Sequence, residues 1–243
     1  MYFNFSNPWM IILLVIMIME NLKYYVSTPG ALLGLLYSIP AVLIAITFHE
    51  YAHAFVADKL GDDTPRRQGR LTLNPFAHID PYGLILMLTV GFGWGKPVEI
   101  NPNNFTRKVT IRKGDALVSI AGPCMNFILA IFFSIIYGLI IRFSHSWVLT
   151  GYGNIILNIL QYTISMNVGL GVFNLIPLPP LDGSKVLLAF LPYNAREWFE
   201  KNEKMLYILF IIIWITPISS MIVAPFINVI SNGLIKLIIA IAG

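Results

Sequence analysis

The chain has 243 residues, of which 57% are hydrophobic and only 12% charged, with a mean hydropathy of +0.74. An average soluble chain is about 25% charged, so this composition excludes a soluble pair of domains, a disordered chain and a nucleic-acid-binding protein. The formal net charge of +4, from 16 Lys and Arg against 12 Asp and Glu, is the basic excess that an anionic cytoplasmic leaflet favours. One cysteine, Cys124, permits neither an internal disulfide nor a cysteine-rich metal cluster, and as a small apolar side chain it reads as buried.

Crossing a membrane takes about 20 apolar residues at 1.5 Å rise each. The first apolar run, 9–19, is short for that and reads as a tilted span or an interfacial helix. Residues 1–8 carry no basic side chain, which makes a poor signal peptide, so this run is expected to stay in the chain. Segments 31–57, 116–141 and 148–178 are long and apolar enough to span. Segment 205–230 is long enough but is interrupted by Pro217 and Pro225, and 234–242 is too short to span alone.

Basic residues set an orientation. Lys59, Arg66, Arg67 and Arg70 follow the 31–57 segment, Arg107, Lys108, Arg112 and Lys113 precede the next, and Lys185, Arg196, Lys201 and Lys204 occupy the last polar loop. The positive-inside rule makes all three clusters cytoplasmic. Residues 71–104 must then leave and return to the same side. Their apolar middle, 84–90, suits a re-entrant or surface-lying excursion bent by Gly91, Gly93, Gly95 and Pro97, with 96–100 as a short strand offering its edge to an incoming chain. The expected fold is an all-α polytopic membrane protein of about five to six transmembrane or re-entrant helical segments. A small membrane-associated β element lies between the second and third apolar segments. No polar stretch reaches the roughly 40 residues a domain needs to fold alone. Residues 1–243 are therefore expected to form one transmembrane domain without an appended soluble domain, with an extra N-terminal apolar segment and loop at 1–30 and helical segments at 204–243.

An ionisable group inside a membrane segment is a functional hypothesis by default. The 31–57 segment contains His49, Glu50 and His53, an H-E-x-x-H pattern on a helix. The i, i+4 spacing puts both imidazoles on one face, able to share a metal ion. Glu50 can then take a proton from a water that the ion activates. Nine residues separate His49 from Asp58, about 13 Å of helix from the polar boundary. Mixed nitrogen and oxygen donors suit zinc better than magnesium or calcium. A catalytic zinc site needs a third protein ligand. His145 falls in a loop on the opposite face, whereas Asp182 follows an apolar run in which Pro177, Pro179 and Pro180 preclude regular helix. Unwound backbone at that depth must be buried in protein or line a wet cavity. The alternative for Asp182 is a cap at the start of a cytoplasmic helix. Asn174, on the same stretch, carries an amide able to donate to a carbonyl oxygen.

The pairing of F-H-E-Y-A-H at 48–53 with N-L-I-P-L-P-P-L-D-G at 174–183 resembles the site-2 protease family of intramembrane zinc metalloproteases. Three further stretches are similar to its compact bacterial branch: R-L-T-L-N-P-F-A-H-I-D-P-Y-G at 70–83, G-F-G-W-G-K-P-V at 91–98 and A-G-P-C-M-N at 121–126. The resemblance covers about 39–191. It implies one Zn2+ held by His49, His53 and Asp182, Glu50 as acid and base, and Asn174 contacting substrate near the scissile carbonyl. It also implies hydrolysis of a peptide bond in the transmembrane helix of a membrane-protein substrate, by a multi-pass protein of the cell membrane whose active site lies toward the cytoplasmic side. Gly122, Pro123 and Asn126 read as a packing kink with an internally satisfied amide, and His78 and Asp80 as residues that order their loop, the alternative for this pair being a second metal site. Intramembrane histidines and carboxylates also line ion paths, so a metal-ion transporter or channel competes with the protease, as does an inactive protease-like scaffold. Against the first, the ionisable groups cluster at one depth; against the second, both histidines, Glu50 and Asp182 are present. The partners expected are a transmembrane-helix substrate and the lipid bilayer; the oligomeric state is not encoded in any motif.

Overall fold

The computed structural model describes residues 8–89, 93–106 and 109–243. The bend expected at Gly91 and the basic pair Arg107 and Lys108 lie outside the described residues. The chain begins with α1 (Pro8–Ser27) and α2 (Ala31–Leu60). At 30 residues, α2 runs for about 45 Å. Gly61 ends it at φ 109, a left-handed conformation that glycine adopts without steric cost.

A short turn, α3 (Thr64–Arg67), leads to α4 (Pro81–Thr89). With 9 residues, α4 reaches about 13 Å and cannot cross a bilayer, as the excursion reading requires. It lays Met87 into a cluster with Val42 and Ile46 of α2. The expected β element is not there: the described residues contain no strand, and 79–100 holds one isolated antiparallel bridge, Ile79 with Gly95. The reason is local. The partner backbone is confined between a 3-10 turn at Pro75–Ala77 and α4, and Pro97 has no amide to extend the ladder. The next amide, Val98, donates to a side chain instead.

α5 (Ile111–Phe143) is capped by Thr110, whose hydroxyl accepts from Lys113 N. The short α6 (His145–Val148) connects it to α7 (Gly151–Asn174). The side chain of His145 lies outside the described residues. α8 (Asp182–Phe190), α9 (Tyr193–Lys201), α10 (Glu203–Ile215) and α11 (Ile218–Ala242) complete the chain. Among the described residues, α2, α5, α7 and α11 are long and apolar enough to cross a membrane. The last of these departs from expectation. Pro217 breaks the helix, but Pro225 sits inside α11, and residues 234–242 are its final turns rather than a separate piece. One missing amide is tolerated in a membrane helix when neighbours absorb it. α10, with 13 residues, is about 20 Å long and too short to span. It leans on α7 through aromatic contacts of Phe173 with Phe210 and Trp214.

α2, α5 and α7 pack against one another, and α11 closes one side through Val223 and Leu234 against Ala130, Val168 and Val172. The interior of the bundle is lined by small and polar residues, among them Thr47, Ser119, Asn126, Thr163 and Asn167. Such residues let membrane helices approach closely and hydrogen-bond across their interface.

Candidate metal centre and active site

His49 and His53 sit one turn apart on α2, at 6% and 8% exposure. Asp182 is the first residue of α8, where the positive end of the helix dipole favours a carboxylate. Leu175–Leu181 folds back to deliver it, a turn that needs Gly183: a Cβ there would collide with the carbonyls of Leu175 and Ile176. Asp182 Oδ2 lies 3.1 Å from His49 Nε2 and 3.3 Å from His53 Nε2, and the two nitrogens are 3.0 Å apart. The structure thus brings together three residues, two from α2 and one from the start of α8, that could hold one metal ion.

Hydrogen bonding decides what those three atoms present. His53 Nδ1 is 2.7 Å from the carbonyl oxygen of Val118, which can only accept. His49 Nδ1 is 2.6 Å from Asn126 Oδ1. Both rings are thereby directed to carry a proton on Nδ1, and in that neutral tautomer each turns an Nε2 lone pair inward. Asp182 Oδ2 is buried with these two ring nitrogens as its polar neighbours. With both rings neutral, three electron pairs converge on one point, a donor set that a metal cation would satisfy. Tetrahedral zinc with ligand bonds of about 2.0–2.2 Å separates its ligand atoms by about 3.3–3.6 Å, close to the spacing seen. Gly122 of α5 faces the same point: a Cβ there would lie 2.5 Å from His53 Nε2 and 2.7 Å from His49 Nε2. The donor set and the free space both fit zinc.

Glu50, next along α2, points to the neighbouring loop, where Oε2 accepts from Val98 N at 3.1 Å. That amide was expected to face an incoming chain; it faces Glu50 instead. All four polar residues border a cavity of 980 Å³ walled by apolar side chains such as Ile46, Met87 and Phe173. Asn174 is on its wall, with Nδ2 donating to Leu170 O at 3.1 Å.

Other sequence candidates divide clearly. His78 is fully buried and its Nε2 donates to Thr72 O at 2.7 Å, while Asp80 accepts from Gly83 N at 2.9 Å, so both order the loop. Burial holds the His78 imidazole below its ordinary pKa, outweighing the bond to the Thr72 carbonyl. Cys124 is exposed on α5, not buried; it follows Pro123, which lies inside the helix. Asn126 does more than satisfy itself, because it bonds a candidate ligand. Asp62, just beyond α2, escaped notice. Although its burial works against charge, donors from Thr64, Asn101 and Asn104 hold its carboxyl below the usual range. Its place directly after an apolar helix was the signal.

The model of peptidase family M50 matches residues 37–216. The chain is 38% identical over 229 residues to "Putative zinc metalloprotease YwhC" of Bacillus subtilis, covering 92% of this chain and 98% of that protein. It is 30% identical over 184 residues to "Putative zinc metalloprotease Rip2" of Mycolicibacterium smegmatis, covering 72% of this chain and 65% of that protein. No solved structure matches. With three ligand atoms around one point, a zinc-type donor set and a family match over most of its length, the chain belongs to peptidase family M50, a family of zinc metalloproteases.

Proposed function

We propose that the protein is an intramembrane endopeptidase that hydrolyses a peptide bond in or near the transmembrane helix of a membrane-protein substrate. The observation that carries this is the position of the site: His49, Glu50 and His53 on α2, a helix of membrane length, meet Asp182 at the start of the short α8 beside a largely apolar cavity of 980 Å³. An unwound apolar segment matches such walls in chemistry. Lys59 in the last turn of α2, Arg66 and Arg67 just after that helix, and Arg112 and Lys113 at the start of α5 stand at the helix ends nearest the site, which supports a cytoplasmic location for it in the cell membrane. Residues 1–243 act as one unit, with 1–30 and 204–243 flanking the catalytic bundle.

His49, His53 and Asp182 hold the metal. Zinc, when bound, supplies Lewis acidity and lowers the pKa of water to about 7. Glu50 is the proton carrier. Its Oε2 is occupied by the Val98 amide, which leaves Oε1 to take a proton from the attacking water and deliver it to the departing amine. Asn174 releases Leu170 O and donates to a substrate carbonyl, fixing the chain in the cavity.

The test is incubation of the purified full chain with a panel of single-span membrane proteins, with and without a zinc chelator, followed by mass spectrometry. Products with ends inside a membrane segment, absent under chelation, are expected. Cleavage confined to soluble segments, or indifferent to chelation, would overturn the proposal.

A further inference from the structure

Asn126 on α5 and Asn167 on α7 are completely buried in the bundle and neither borders the catalytic cavity. Buried amides in apolar surroundings are costly unless every donor and acceptor is directed, and here all of them run one way. Asn167 Nδ2 donates to the Thr163 carbonyl at 2.8 Å, so its Oδ1 is the accepting end. That oxygen accepts from Asn126 Nδ2 at 2.9 Å. The same Nδ2 gives its second proton to the Ala45 carbonyl at 3.1 Å, which turns Asn126 Oδ1 toward His49 Nδ1 at 2.6 Å. Flipping Asn126 would place its NH2 against the His49 N–H and its oxygen against two acceptors. The chain starts on a backbone carbonyl, which cannot flip.

We propose that Asn126 and Asn167 are positioning residues of the metal centre: the line from Thr163 through Asn167 and Asn126 holds His49 as its Nδ1–H tautomer and keeps the Nε2 lone pair aimed at the ion. This rests on His49 being a zinc ligand. The two histidines are then fixed by different means. His53 is set directly by a backbone carbonyl of α5. His49 borrows its tautomer from side chains on α5 and α7, so the seating of α7 against α5 becomes a determinant of metal affinity.

The experiment measures zinc dissociation constants of the full-length protein in detergent by competition with a chromophoric chelator, for wild type, His49→Ala, Asn126→Leu, Asn167→Leu and Asn167→Asp. Losing a partner behind a ligating histidine typically weakens metal binding about 10–100-fold. That loss is expected for Asn126→Leu, and a smaller one for Asn167→Leu. Asn167→Asp keeps an acceptor for Asn126 and should stay near wild type. A packing role predicts the reverse order, since leucine suits an apolar bundle and a carboxylate does not. Nitrogen-15 spectra of histidine-labelled, zinc-free protein supply a readout that packing would not move: His49 should hold its proton on Nδ1 in wild type and lose that preference in Asn126→Leu. If Asn126→Leu binds zinc like wild type and keeps the Nδ1–H signature while His49→Ala loses the metal, the relay is wrong. If His49→Ala also keeps wild-type affinity, the ligand assignment fails and the relay falls with it.

Discussion

The Val98 amide donates to Glu50 Oε2 at 3.1 Å, tying the proposed proton carrier on α2 to a loop 48 residues further along the chain. Glutamate has three rotatable bonds, and an unanchored carboxylate would sample many positions around the metal centre. One hydrogen bond from a rigid backbone restricts it. The loop is itself held, since Lys96 N donates to His78 O at 2.8 Å and Arg70 reaches the Lys96 carbonyl.

Val98→Pro removes this donor without touching a ligand. Turnover should fall by roughly tenfold for a bond of about 1.5 kcal/mol to a charged group, with zinc content unchanged. Val98→Ala, which keeps the amide, should retain wild-type turnover. Parallel metal analysis and cleavage assays decide: equal rates for the proline and alanine variants would show that the bond does not position Glu50.

Gly122→Ala places a methyl group within 2.7 Å of both candidate ligand nitrogens. The imidazoles have little room to retreat, because each Nδ1 is already committed. Zinc binding should drop by at least about tenfold, the range seen when histidine ligands are misplaced, with helix content by circular dichroism unchanged. Full zinc occupancy at wild-type affinity would show that the ion sits elsewhere.

Asp62→Ala should destabilise the folded protein and leave the zinc ligands in place. The carboxylate ties the end of α2 to Asn101 and Asn104 through bonds of 2.7 and 2.9 Å, and bonds to a charged group are each worth about 1.5–3 kcal/mol. Its folded pKa is depressed, so its contribution is fully present above the unfolded value of about 3.9 and disappears as pH falls through the folded value. Thermal unfolding in detergent at neutral pH and at acid pH checks this. The gap between wild type and variant should narrow toward acid; a constant gap would place the stabilisation in something other than charge.

Much of this was legible in the residues, for a physical reason. A bilayer penalises ionisable groups so heavily that the H-E-x-x-H pattern of His49, Glu50 and His53 stood out inside its apolar segment, while Asp182 needed the proline-broken stretch before it and the family resemblance to be told from a helix cap. The same logic applied to Asn126 and Asn167 would have found the amides, but not their direction, which depends on packing α2, α5 and α7 together. The excursion at 71–104 followed from length and charge. The strand at 96–100 did not form because β pairing needs a partner of matching length, and that partner is cut short by α4. The span at 205–230 shifted because proline has two habits in helices. Pro217 precedes a first turn, where its missing amide costs nothing, while Pro225 sits mid-helix where neighbours absorb it.

The account turns on Glu50 as the proton carrier beside a bound zinc. Glutamine is nearly isosteric and can still accept from the Val98 amide, but it cannot take up a proton at neutral pH. The decisive measurement is a paired determination, on one confirmed substrate, of zinc content and cleavage rate for wild type and Glu50→Gln. Unchanged zinc with a rate lowered at least about 10²–10⁴-fold, the worth of general acid–base catalysis, is the expected result. A zinc-loaded Glu50→Gln protein that cleaves near the wild-type rate would contradict it.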